Sequence, residues 1–306
     1  SPSSLVPRPM STKKQITLIS IACVAVYFVL RWLPVEECEF LHYGDYVNAE
    51  GVIEGCGYEE TGFFNMAEIR YPIIAELTPL TDPVIGEPLL CSLTLFTTTG
   101  KPIEWESIAV SHTERIHAMV VDPSLQDYQH LHPRPAGPAG HYLLEMIPQK
   151  AGSYSVYLDF IPLTTNRRTL LECAINVPGM ADQPVHQHKT TYQTDPMAFE
   201  FVALSENLTT GEELSFRLDV KALDGSPTRF TPVMDSYAHV VAFDASGTGF
   251  AHLHPANPLV QGQDPTNPDL RFTFQFDDPG HYRVWTQFIV NGEHLFIPFD
   301  IIINES

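Results

Sequence analysis

The chain has 306 residues, enough for two domains of ordinary size, each with its own core. Apolar residues make up 44% and charged residues 18%, a balance that excludes a disordered chain. Lys and Arg total 17 against 37 Asp and Glu, a formal net charge of −20; such a surface repels phosphate backbones and argues against nucleic acid as a partner.

In chain order, residues 1–9 (SPSSLVPRP) read as a tag remnant, with the native chain expected to start at Met10. Residues 10–35 read as a signal anchor. Lys13 and Lys14 precede an apolar run from Ile16 to Leu30, which Trp32, Leu33 and Val35 extend past Arg31. The run reaches the roughly 20 residues of a bilayer span if Arg31 snorkels to the interface. A cleaved secretion signal is the competing reading, although no small-x-small cleavage site stands out. The lysine pair favours a cytoplasmic N-terminus, with everything after Val35 exported and the β domains in the periplasm, or secreted if the segment is cleaved.

Residues 36–67 form an extension that holds Cys38 and Cys56. Outside the apolar segment the cysteines number four, an even count in an exported chain, so disulfides are expected. Proximity suggests Cys38 with Cys56; Cys91 and Cys173, on the early and late strands of one domain, could meet across its sandwich. The absence of CxxC removes support for thiolate zinc sites and thioredoxin-like chemistry.

The remainder repeats itself. GEPLLCSLTLFTTTGKP from Gly86 resembles GEELSFRLDVKALDGSP from Gly211, and His117–Pro133 aligns without a gap on His239–Pro255. AGSYSVYLDFI from Ala151 matches PGHYRVWTQFI from Pro279. Three blocks in one order define a tandem pair: copy one over 68–177, a Pro/Gln/Thr-rich linker over 178–196 and copy two over 197–306. Short runs rich in β-formers, such as LLCSLTLF, HAMVV and RFTFQF, are separated by Gly, Pro, Asp and Asn. The expected fold is all-β, two tandem immunoglobulin-like or cupredoxin-like sandwiches after an N-terminal membrane anchor or signal helix. Gly-x-Tyr before a late strand in each copy resembles a tyrosine corner. Tyr154, Tyr282, Trp285, Phe160 and Phe288 are expected in the cores, and Asp122 and Asp244 in turns.

The histidines carry the chemistry. If Asp122–Asp127 closes a hairpin, Val121 opposes Tyr128, Met119 opposes His130 and His117 opposes His132. Period-2 alternation and direct opposition then put His117, His130 and His132 on one face, and the same register groups His239, His252 and His254. A one-residue slip would send His117 to the other face. Opposed Cα atoms about 4.5–5.5 Å apart let imidazoles converge on one ion. Imidazole suits zinc, copper, iron and nickel, and Met119 beside the first cluster adds a soft thioether that leans toward copper. His141, His281 and His294 are further candidates without a repeat partner, and His186 and His188 form a third H-x-H in the linker. His112 and His117, five apart in HTERIH, suit neither a helical pair nor one strand face. HExxH, GxSxG and P-loop motifs are missing, so no enzyme is expected.

The blocks H-x4-D-x5-[YF]-x-HLHP and G-x-Y-x-V-x3-F resemble those of uncharacterised exported bacterial tandem β-sandwich proteins, some associated with copper handling. The resemblance covers both copies and leaves out the anchor and the 36–67 extension. It implies copper or another transition-metal ion as cofactor, held for storage, delivery or sensing. Two other readings stay open. In one, the sandwiches present Pro-rich loops to another envelope or membrane protein and the histidines are structural. In the other, the metal supports an oxidoreductase.

Overall fold

The protein is described here from a computed structural model covering residues 11–32, 46–47, 53–54, 62–66, 71–185, 187–247, 249–255, 264–266 and 268–306. It divides into two units, residues 1–41 and 42–306. The first contains one helix, α1 (Thr12–Trp32), 21 residues and therefore about 31 Å long at 1.5 Å per residue. Its Thr12–Val29 window has a mean hydropathy of 1.3, long and apolar enough to cross a membrane. Signal sequences meet the same criterion.

The second unit is all β. Two short strands, β1 (Tyr46–Val47) and β2 (Ile53–Glu54), pair with each other, and β3 (Phe64–Asn65) follows. Copy one contains β4 (Ile73–Pro79), β5 (Leu89–Thr97), β6 (His117–Val121), β7 (Tyr128–Leu131), β8 (Arg134–Pro135), β9 (His141–Met146), β10 (Gly152–Phe160) and β11 (Thr169–Val177). They form two sheets, β4-β5-β9-β8 and β11-β10-β6-β7. These orders are A-B-E-D and G-F-C-C′ of the immunoglobulin arrangement, which decides between the two sandwich types expected from sequence.

Copy two contains β12 (Thr191–Thr194), β13 (Met197–Ala203), β14 (Glu213–Ala222), β15 (Phe230–Thr231), β16 (His239–Asp244), β17 (Gly249–Leu253), β18 (Arg271–Gln275), β19 (Gly280–Val290) and β20 (Glu293–Ile303). Its sheets are β12-β13-β14-β18 and a larger one in which β19 pairs β20, β16 and β15, and β17 pairs β16 and β3. The stretch read as a linker therefore supplies β12, and the stretch read as an extension supplies β3. Gly249 allows the second addition, because a Cβ there would collide with the Phe64 carbonyl.

Each copy has its own core. Leu89, Leu93, Val120, Tyr154, Leu158 and Phe160 pack between the sheets of copy one; Phe199, Phe216, Val240, Phe274, Tyr282 and Phe288 do so in copy two. The Tyr154 hydroxyl donates to the Lys150 carbonyl and that of Tyr282 to the Asp278 carbonyl, four residues upstream in both cases, as in a tyrosine corner. Asp122 takes hydrogen bonds from the amides of Ser124, Gln126 and Asp127, and Asp244 from those of Ser246 and Gly249, so both are turn residues.

Two expectations are corrected. Cys91 and Cys173 are free thiols, buried in copy one on strands of opposite sheets. Facing sheets lie about 10 Å apart, beyond the roughly 7 Å between Cα atoms that a disulfide spans. Burial pushes both thiols up to about 11. Cys38 and Cys56 lie outside the described residues. Trp285 belongs to neither sandwich core; its indole N–H crosses to the Leu125 carbonyl of copy one at 3.1 Å.

That bond marks the main tertiary event. Strands β6, β16 and β17 are buried on both faces, whereas one face of an isolated sandwich sheet would be wet. The outer faces of the two G-F-C-C′ sheets cover each other. Tyr157 stacks on Phe250 with ring centroids 4.8 Å apart, and Tyr128 meets Trp285 at 5.8 Å and Phe296 at 5.9 Å. Aromatic pairs of this kind contribute about 0.5–1.5 kcal/mol each beyond the area they bury.

Candidate metal centre between the two copies

The hairpin registers are those the loop lengths imply. In copy one Val121 opposes Tyr128 and Met119 opposes His130; in copy two Phe243 opposes Phe250 and Val241 opposes His252. Ala118 and Val120 enter the core of copy one, so His117, Met119 and Val121 point the other way. The same alternation turns His239 and His252 out of the core of copy two. "Out" here means into the inter-copy interface: His117, His130, His239 and His252 are all buried, and His132 and His254 are half-buried.

Each triad converges. One ligand nitrogen from each of His117, His130 and His132 lies within 4.8 Å of the others, and the same holds for His239, His252 and His254. The triads are the two that the hairpin registers imply, one per copy, and they are also neighbours. The rings of His130 and His252 are 5.3 Å apart, equal to the His117–His130 separation within one triad. His117 lies 5.8 Å from His252, and His130 lies 6.1 Å from His239. The result is one basin of six imidazoles with near-twofold symmetry. Met119 is buried and in register with His130.

The outer nitrogens are held by equivalent partners. His117 donates through Nε2 to the Ser111 carbonyl at 3.0 Å, and His239 through Nε2 to the Val233 carbonyl at 3.0 Å. His130 Nδ1 bonds Gln287 Oε1 of the other copy at 2.8 Å, and His252 Nδ1 bonds Asp159 Oδ2 of the other copy at 3.3 Å. Asp159 and Gln287 occupy matching positions in the repeat. Gln287 Nε2 in turn lies 2.9 Å from His294 Nε2, so the amide bridges His294 and His130. Acceptors that anchor one imidazole nitrogen and aim the other inward are the usual outer shell of a histidine metal site.

The inward nitrogens have no comparable partners. His132 Nε2, His239 Nδ1 and His252 Nε2 are buried and make no hydrogen bond among the described residues. His117 Nδ1 and His130 Nε2 face each other at 3.1 Å. In the tautomers that put both protons on the outer bonds, this contact sets two lone pairs together, an arrangement that a shared cation relieves. Metal–nitrogen bonds of about 2.0–2.1 Å place neighbouring ligand nitrogens about 2.9–3.4 Å apart. Burial, with the neighbouring imidazoles adding to it, holds His117 down to about 3. Burial also lowers His112, His130, His132, His239 and His254, so these rings are neutral at pH 7, the form that ligates.

Three contributors were not singled out in the sequence. Asp159 is buried in a forked ion pair with Arg168, with contacts of 2.6–3.1 Å. Burial alone would raise its carboxyl; the Arg168 guanidinium and the His252 bond instead hold it well below the usual carboxylate range. Gln287 shares the outer face of β19 with Trp285, and a polar residue at the same period-2 position in both copies was the available signal. His112, whose spacing from His117 fits neither a helical pair nor one strand face, stacks on His254 at 3.7 Å. A left-handed turn at His112 and Thr113 (φ 50° and 71°) brings it there, and the matching turn in copy two carries Met234 and Asp235.

The remaining candidates lie apart. His141 packs on Phe96, and His281 bonds Asp300 at 2.8 Å within a group that includes Arg283. His186 lies outside the described residues, and His188 is exposed.

No curated protein matches the sequence. Residues 194–305, copy two, match the model of a family described as a domain of unknown function (DUF8832). Among solved structures, the chain is similar to a Corynebacterium diphtheriae protein described by an inferred membrane anchor, at 9% identity and TM-score 0.24, over 76% of this chain and 59% of that one. It is similar to fibronectin(III)-like modules of Clostridium thermocellum CbhA at 10% identity and TM-score 0.21, over 75% and 94% of the two chains. A DUF4785 family protein from Legionella pneumophila aligns at 12% identity and TM-score 0.26, over 76% of this chain and 56% of that one.

Proposed function

We propose that this protein binds a transition metal, copper in particular, in the histidine basin between its two sandwiches. In this reading α1 tethers it to a membrane, the β unit faces the exported side, and the ion is held for storage, delivery or sensing. The observation that carries the proposal is the pair of triads, in each of which one ligand nitrogen per histidine lies within 4.8 Å of the others, while a ring nitrogen of His117, His130, His239 and His252 is anchored.

A purely structural role for the histidines accounts for the outer bonds only. It leaves His132 Nε2, His239 Nδ1 and His252 Nε2 buried and unsatisfied, each at a desolvation cost of about 1–3 kcal/mol. Binding is favoured over catalysis because Asp159, the carboxylate that bonds a triad histidine, is committed to Arg168 and unsuited to act as a base. The test is metal analysis of the purified full chain beside His130→Ala/His132→Ala and His252→Ala/His254→Ala. Loss of bound copper in both variants supports the proposal; unchanged metal content in both refutes it.

A further inference from the structure

The two triads lie side by side across the interface. The distance between their rings across the interface, 5.3–6.1 Å, is comparable to the 4.4–6.0 Å within them. Ions in both triads would therefore be close neighbours in a buried, water-poor space. What offsets their charge is limited. All six donors are imidazoles, which bring no negative charge of their own. Two carboxylates act on them, Asp159 and Glu114. Each is already matched by a guanidinium: Asp159 by Arg168 at 2.6 Å, and Glu114 by Arg134 at 2.6 Å. Among the described residues, these two carboxylates leave no spare negative charge beside the donors.

Charge then decides what fits. The cost of moving an ion out of water scales with the square of its charge. The repulsion between two ions scales with the product of their charges. Both are about fourfold larger for divalent than for monovalent ions at the same positions. A pair of divalent ions would need an added anion between them; a pair of monovalent ions would not. The buried Met119 thioether, in register with His130 on the same face, adds a soft donor of the kind monovalent copper prefers.

We propose that the basin selects by ion charge, taking two soft monovalent cations, Cu(I) or Ag(I), at once but a single divalent ion. This rests on the metal-binding reading above and goes beyond it in stoichiometry and oxidation state. It also assigns Asp159 and Glu114, with their arginines, as the groups that keep the surroundings neutral.

The full chain in detergent is titrated at pH 7.5 in nitrate buffer. Cu(I) is added anaerobically against a coloured cuprous chelator, and Zn(II) against a coloured zinc chelator. The expected result is two tight Cu(I) equivalents and one tight Zn(II), with a second Zn(II) at least 100-fold weaker. His132→Gln and His254→Gln should each remove one Cu(I). Both residues are half-buried, so the fold tolerates these changes better than a core substitution, and native mass spectrometry of the unaltered chain gives the same count without any variant. Two Zn(II) of similar affinity, or a single Cu(I), overturns charge selection while leaving metal binding intact. Absence of both ions overturns the two readings together.

Discussion

Replacing Asp159 with Asn tests the electrostatics of the interface most directly. The substitution keeps the shape and an acceptor for His252 but removes the charge opposite Arg168. Both side chains are about one-tenth exposed (10% and 11%), so solvent screens little, and the guanidinium makes three contacts of 2.6–3.1 Å. Breaking a buried pair by neutralising one partner costs about 3–5 kcal/mol, because the remaining charge is left uncompensated. The sign with pH follows from the depressed carboxyl of Asp159. Its contribution is complete above the unfolded value near 3.9 and is lost as pH falls through the lower folded value. The difference between wild type and Asp159→Asn should thus be flat from pH 8 to pH 5 and shrink below pH 4. Urea unfolding followed by tryptophan fluorescence measures it, since Trp285 lies in the same interface. A difference under about 1 kcal/mol, or one abolished by 1 M salt, would identify the pair as a solvated surface bridge and refute the reasoning.

Other consequences can be checked separately. Gln287→Leu removes the acceptor that orients His130 and should weaken metal binding by about 10–100-fold; an unchanged affinity in chelator competition would remove Gln287 from the site. The metal-free protein should lose stability as pH falls below about 6.5, because the unfolded histidines take up protons that the buried rings refuse. His117, held down to about 3, contributes about 2 kcal/mol of that loss between pH 6.5 and 5, and a melting temperature independent of pH across this window contradicts its burial. Gly249→Ala forces a methyl against the Phe64 carbonyl, so β3 should detach at a cost of about 1–3 kcal/mol and residues 62–66 should become protease-sensitive; resistance equal to wild type would show that the strand adapts.

Much of the site could be read before any coordinates. Asp122 and Asp244 mark the hairpin turns, and a six-residue loop between them and the next strand sets the register of β6 with β7 and of β16 with β17. Side chains in a strand alternate with period two, so that register alone puts three histidines on one face in each copy. The repeat, the all-β class and the tyrosine corners follow from equally local rules. What local rules cannot say is where an outward face points. An outward face meets solvent in a lone sandwich and meets the other copy here, and both arrangements obey the same alternation. Only the packing of the two sheets turned separate triads into one basin, moved Trp285 from core to interface, and made Asp159 and Gln287 the partners of histidines on the opposite copy. It also brought in His112, which reaches His254 through a left-handed turn that strand periodicity does not describe, and it kept Cys91 and Cys173 apart on facing sheets, although their places on early and late strands of one sandwich had suggested a pair. Strand faces are set by neighbours along the chain, whereas a shared site between domains is set by surfaces distant in sequence, chosen by the area and charge that they bury together.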